Sequence, residues 1–160
     1  MSIRIDRSLE IENLNQAGLH KLFDDRDFYV RRVVVQKIDQ VGLHKMTDDS
    51  DSHIRWMVAR RIDQEGLNKM MNDKDWLVRL EIAKRIDQPG LHKMTDDENP
   101  AVRWAVASRI DQLALHKMIK DESPAVRCEV VKRIDQLGLH KMRNDPDSDV
   151  LAMIERRFNK

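Results

Sequence analysis

Apolar and polar positions along this chain recur with a period of 24 residues, six times and without insertion, from Gly18 to the C-terminus. Each block is counted from its glycine: Gly18, Gly42, Gly66, Gly90 and Gly138, with Ala114 opening the fifth. Position 2 is always leucine, and position 5 is leucine or methionine. Positions 13 and 17 are valine or isoleucine, and position 21 is isoleucine five times and then Phe158. The spacing 13, 17, 21 is one face of an α-helix. Position 10 reads Asp27, Asp51, Asp75, Asn99, Ser123, Asp147, all good N-cap residues. Pro100 and Pro124 follow at the first helical position, where a missing N–H costs nothing. The pattern therefore predicts a helix over about positions 11 to 21, ~16 Å long. Position 22 is a second cap, aspartate five times and then Asn159, and Pro89 forbids one continuous helix through this point. What remains is a shorter element of one or two turns, α or 3-10. A fixed period of this size means stacked units, each burying an apolar face on its neighbours.

Tetratricopeptide, ankyrin, HEAT and armadillo units are all longer than this block. Ordinary leucine-rich repeats fit the length but need an LxxLxL strand and an asparagine column, which the blocks lack. The pattern L..M..D.D..VR..VA.RI resembles the leucine-rich repeat variant over residues 18–160. The resemblance implies an all-α, right-handed superhelical solenoid, in which a short 3-10 or α helix pairs with a longer α-helix, as in armadillo/HEAT-like proteins. Some members of that family carry a cysteine-rich iron–sulfur segment ahead of the repeats. With one cysteine this chain cannot, and family membership implies little about activity. The expected organisation is a helical N-terminal cap over 1–17, followed by one continuous six-repeat domain over 18–160.

Charge narrows the function classes. There are 29 basic and 28 acidic side chains, for a formal net charge of +1. That balance argues against a strongly basic nucleic-acid binder and against a polyacidic tail. Cys128 is the only cysteine, so no intrachain disulfide or thiolate cluster can form. No apolar run approaches the ~20 residues a bilayer requires. The opening MSIRIDRSLEIENLNQ is acidic and polar where a secretory signal is apolar. The expectation is a soluble cytoplasmic protein.

Position 8 is aspartate in every block (Asp25, Asp49, Asp73, Asp97, Asp121, Asp145), and position 14 is arginine in five (Arg31, Arg55, Arg79, Arg103, Arg127), with Leu151 in the sixth. Recurrence at every step points to a structural ladder in which each arginine bridges to a neighbouring repeat's aspartate or turn backbone. The position-10 cap, four residues before the arginine, is an alternative partner. Histidine fills position 3 (His20, His44, His92, His116, His140, with Asn68 in the third block), and lysine fills position 4 throughout. Equivalent residues on stacked helices lie roughly 8–10 Å apart, whereas metal ligands sit about 2 Å from their ion. The histidines therefore read as a structural column, or as an edge for an anionic partner that strengthens below pH ~6.5. No metal or cofactor is expected.

Recognition is expected where the blocks differ, at positions 12, 15, 16 and 19. There Arg32, Trp56, Met57, Arg60, Leu80, Lys84 and Trp104 form the candidate partner-binding set, an apolar stripe edged by basic residues. Tryptophan and arginine are enriched in binding hot spots. The competing reading is that both tryptophans fill gaps between helices. Phe23, Phe28, Tyr29, Val33 and Val35 of the first block are expected to pack under residues 1–17, with a weak homodimer through this aromatic edge as the alternative to a monomer. No nucleophile–base pair, phosphate-cradling loop or metal motif is present, so an enzyme such as a HEAT-like glycosylase is disfavoured. The reading is a non-enzymatic scaffold for a protein partner. A nucleic-acid binder using the Lys, Arg and His columns is the alternative, and no membrane is expected.

Overall fold

The structure, a computed structural model, describes residue 11 and residues 13–159. Most of the cap expected over 1–17 lies outside the described residues. The described chain divides into two compact units, one up to Arg85 and one from Ile86. Each is a run of alternating short and long α-helices, with no strand among the described residues. The first unit contains α1 (Gln16–Leu19), α2 (Phe28–Lys37), α3 (Gln40–Lys45), α4 (Ser52–Ala59), α5 (Gln64–Met70) and α6 (Trp76–Ala83). The second contains α7 (Gln88–Lys93), α8 (Pro100–Ala107), α9 (Gln112–Met118), α10 (Pro124–Arg133), α11 (Gln136–Lys141) and α12 (Ser148–Phe158). The fold is all-α and solenoid-like. Long helices pack on long helices, α2 on α4 and α4 on α6 in the first unit, α8 on α10 and α10 on α12 in the second.

The caps fall where the sequence puts them. Asp27, Asp51, Asp75, Asn99 and Asp147 accept backbone N–H groups at the starts of long helices, while Ser123 makes no side-chain cap bond. Asp39, Asp63, Asp87, Asp111 and Asp135 cap the short helices. Those short helices are α, with a tightened final turn such as Met46 N–H to Leu43 O at 3.0 Å. The long helices α4, α6 and α8 end at position 18 rather than 21. There the chain tightens to i→i+3 bonds, as from Arg61 N–H to Val58 O at 2.9 Å.

The core is the apolar stripe. Leu43, Ile54, Val58, Ile62, Leu67, Val78 and Ile82 are completely buried in the first unit, as are Leu91, Val102, Val106, Ile110, Leu115, Val126 and Val130 in the second. Each is worth about 1.5–3 kcal/mol of apolar transfer. The position-1 glycines permit a close approach: a Cβ on Gly66 would collide with Cγ1 and Cδ1 of Ile62. Yet Ala114 and Ile110 are both fully buried in the fifth block, so the isoleucine can turn aside for one methyl group. Gly66→Ala is expected to shift stability by under about 1 kcal/mol. Gly66→Val, which adds a branch the isoleucine cannot clear, should cost about 1–3 kcal/mol in urea denaturation. Equal effects of the two would refute this packing.

A glutamine column holds the turns in register. Gln40 Nε2 donates to Arg61 O at 3.1 Å while its Oε1 accepts from Asp63 N–H at 3.0 Å. Gln16 does the same to Lys37 O and Asp39 N–H, and in the second unit Gln88 and Gln112 repeat it on Arg109 and Asp111, and on Arg133 and Asp135. Each glutamine satisfies a carbonyl and an amide that the helix ends leave over. With Asn15 capping α1 at Gly18 N–H, residues 15 and 16 follow the block pattern in full.

Candidate functional site

The invariant polar columns turn inward. In the first unit Arg31 grips Asp49 with two bonds, Nε at 2.7 Å and Nη2 at 3.1 Å, and Arg55 grips Asp73 at 2.7 and 3.0 Å. In the second, Arg103–Asp121 and Arg127–Asp145 have the same geometry. Each of these arginines, and Arg79, also donates through Nη1 to the carbonyl of the position-8 aspartate in its own block. The neighbouring aspartate expected of the ladder is used, together with a turn carbonyl of the arginine's own block rather than of its neighbour. The aspartate hydrogen bonds raise the guanidinium pKa values of Arg31, Arg55, Arg103 and Arg127 above their ordinary value, against an opposing effect of burial.

A second basic column is consumed in the same way. Arg61 Nη2 donates to Ile38 O at 3.1 Å and Arg85 Nη2 to Ile62 O at 3.0 Å, with Nη1 on Val35 O and Ala59 O respectively. Arg133 and Arg157 reach Ala107 O, and Val131 O and Ile134 O. These cations sit on carbonyls at or just past helix C-termini, where the dipole favours them. Of the basic columns considered for nucleic acid, positions 14 and 20 are thus largely committed to the frame, and the exposed remainder is the lysines of position 4.

The histidines belong to the frame as well. His20, His44, His92 and His116 place Nε2 at 2.7–3.0 Å from Asp39, Asp63, Asp111 and Asp135, the caps of the next short helices. Asn68 turns back to Gln64 O, and His140 meets Gln136 O and the Phe158 ring. No group of three or more possible metal ligands occurs among the described residues. Asp39, Asp63 and Asp135 are held below the ordinary aspartate value, chiefly by the N–H of Gly42, Gly66 and Gly138, with the paired histidine contributing. Asp111 is held low chiefly by His92, then by Ala114 N–H. A depressed folded-state pKa stabilises the fold fully above the unfolded value, about 3.9, and that stability disappears as pH falls through the folded values. The urea midpoint should accordingly be flat with respect to these groups above pH ~5 and fall below pH ~4. A midpoint that rises on acidification would contradict these assignments.

Among the variable positions, 12, 15 and 19 are exposed or half-buried, whereas position 16 is half-buried in the first unit and buried at Ala105 and Glu129 in the second. In the first, Arg32 (α2) and Arg60 and Lys84 (just past α4 and α6) are exposed, while Trp56, Met57 and Leu80 are half-buried. Arg60 lies over the Trp56 ring at 4.8 Å, and the His53 ring stacks with it at 5.4 Å between centroids. The run continues through Phe28, 6.2 Å from His53, to Tyr29 at 5.5 Å. Lys84 pairs with Glu81 at 3.4 Å. Trp104 stands in the second unit, 41% exposed. Tyr29 is 49% exposed, and Phe28 reaches His53 of α4; the packing expected between this block and residues 1–17 lies mostly outside the described residues. The candidate set drawn from the sequence holds no residue of position 11 or 12, where Trp76 and Leu77, 41% and 47% exposed, line a 440 Å³ cleft with Lys74, Asp75, Ser50, Ser52 and Arg55. The available signal was the contrast between blocks: positions 11 and 12 are Phe-Tyr, Ser-His and Trp-Leu in the first unit, but Pro-Ala, Pro-Ala and Ser-Asp in the second. Burial pushes the Cys128 thiol up from its ordinary value, away from a reactive thiolate. No helix is long and apolar enough to cross a membrane among the described residues.

The repeat so described matches a solved structure, reported as a leucine-rich repeat variant with a novel repetitive protein structural motif, at a TM-score of 0.88 and 32% identity over 94% of this chain. The chain has the fold of the leucine-rich repeat variant. The chain spans 64% of the length of that leucine-rich repeat variant structure. Neither protein-family models nor curated proteins give a match.

Proposed function

We propose that the chain is a non-enzymatic protein-interaction scaffold, whose first unit binds a protein partner through Tyr29, His53, Trp56, Arg60, Trp76 and Leu77. The observation that carries this reading is an aromatic run topped by Arg60, whose members at positions 11 and 12 are replaced in the second unit by proline, alanine, serine and aspartate. The repeat frame needs none of these side chains, and large amphipathic rings beside arginine are the chemistry of interface hot spots. Arg32, Met57, Leu80 and Lys84 extend the same helix faces. Trp104 is a separate contact on the second unit.

Trp56→Ala with Arg60→Ala should weaken partner capture about tenfold or more, equivalent to about 1.4 kcal/mol, without lowering partner-free melting appreciably. The measurement is affinity capture with cross-linking, comparing wild type, this double variant and Trp104→Ala. Capture unchanged in the folded double variant would remove the reading. Retardation of a DNA probe that weakens steeply with salt would transfer it to nucleic acid.

A further inference from the structure

The charges left free around the aromatic run specify its partner's chemistry. On the long helices and turns of the first unit, the acids are mostly engaged. Asp27, Asp51 and Asp75 cap helices, Asp49 and Asp73 are held by Arg31 and Arg55, and Glu81 pairs with Lys84. Asp24 and Asp48 remain exposed in the turns. Four cations of the same unit, Arg26, Arg32, Arg60 and Lys74, are exposed and enter no ion pair among the described residues. Lys74 lines the cleft beside Trp76 and Leu77, and Arg60, exposed, lies over the Trp56 ring. At position 9 the first unit has Arg26, Ser50 and Lys74, where the second has Glu98, Glu122 and Pro146. Basic and aromatic residues are thus joined at positions 9, 11 and 12 of the first unit and absent from those three positions of the second.

We infer that this rim of the first unit, running from Tyr29 through Trp56 and Arg60 to the cleft at Lys74, Trp76 and Leu77, takes an acidic peptide segment bearing aromatic or long aliphatic side chains. Its carboxylates meet Arg60 and Lys74, and an apolar side chain settles against Trp76 and Leu77. A guanidinium stacked on a ring can still receive a carboxylate at its edge. A peptide fits better than a nucleic-acid strand. Strand-tracking surfaces present a continuous basic stripe, whereas the arginine columns here are committed to the ladders and Asp24 and Asp48 interrupt what is left.

This inference rests on the interaction reading above, and one experiment separates their failures. Fluorescence anisotropy would follow a short labelled peptide alternating glutamate with phenylalanine and leucine, its glutamine and lysine counterparts, and a short single-stranded DNA. The glutamate peptide should bind the full chain, lose about tenfold when glutamine replaces glutamate, and weaken as salt rises. Arg60→Glu with Lys74→Glu, both at exposed positions, should weaken it about tenfold or more with an unchanged melting curve. Equal binding of the glutamine or lysine peptide would overturn the acidic partner while leaving Trp56-dependent capture standing. Tighter DNA binding through the same residues, or no binding of the glutamate peptide, would also overturn it. Unchanged capture by Trp56→Ala/Arg60→Ala would end both readings.

Discussion

Replacing Arg55 with alanine is expected to destabilise the chain by about 3–5 kcal/mol. Arg55 is 3% exposed, and its loss leaves the Asp73 carboxylate buried without its cation and the carbonyl of Asp49 without its donor. Breaking one partner of a buried pair costs far more than the pair contributes, because the remaining charge has lost both water and counter-ion. Arg55→Ala with Asp73→Ala should therefore be less damaging than the two single costs summed, with a coupling of about 0.5–3 kcal/mol. The surface pair Lys69–Glu65, at a similar 2.7 Å, is the contrast: removing it should change stability by no more than about 1 kcal/mol, because both groups return to water. Urea denaturation extrapolated to zero denaturant reads all of these variants. A cost for Arg55→Ala no larger than that for Lys69→Ala would show that burial does not set the cost of losing the pair.

Leu67→Ala is expected to cost about 2–5 kcal/mol, while Leu113→Ala changes stability by less than about 0.5 kcal/mol. The residues are chemically identical and differ only in block position. Leu67 is at position 2, completely buried, and its truncation opens a cavity that well-packed neighbours cannot fill. Leu113 is at position 24, on the outer side of α9, 70% exposed. Thermal or urea melts of the two variants give the comparison, and similar losses would contradict the assignment of the apolar stripe to alternate faces.

The frame was legible in the sequence because it depends on local spacing. Positions 13, 17 and 21 fix a helix face, Asp51 and Asp63 are recognisable caps, and the Asp49–Arg55 offset recurs in five blocks. Other parts depend on what lies across the turn. Gln40 reads as neutral surface, and its two bonds exist only because the Arg61–Asp63 segment of the next block presents an open carbonyl and amide to it. The arginines of position 20 look like solvated charge, yet Arg61 is drawn onto the carbonyls of Val35 and Ile38. At the candidate site, Trp56 and Arg60 were visible as irregular members of regular columns. Trp76 was not, because Pro100 and Pro124 in its column mark a helix start and hide side-chain size, and Leu77, in a column recognised as variable, stands out only through its exposure in the cleft.

The central claim is that the repeated polar columns hold the chain together and the aromatic rim of the first unit does not. Urea denaturation of a variant in which exposed rim residues take the identities found in the second unit (Tyr29→Ala, His53→Ala, Trp76→Pro and Leu77→Ala together) tests it most directly. The expected result is a change of under about 1 kcal/mol, the ordinary range for surface substitutions at a site without structural duty. A loss of about 3 kcal/mol or more, comparable to breaking the Arg55–Asp73 ladder, would place the rim in the frame and contradict the account.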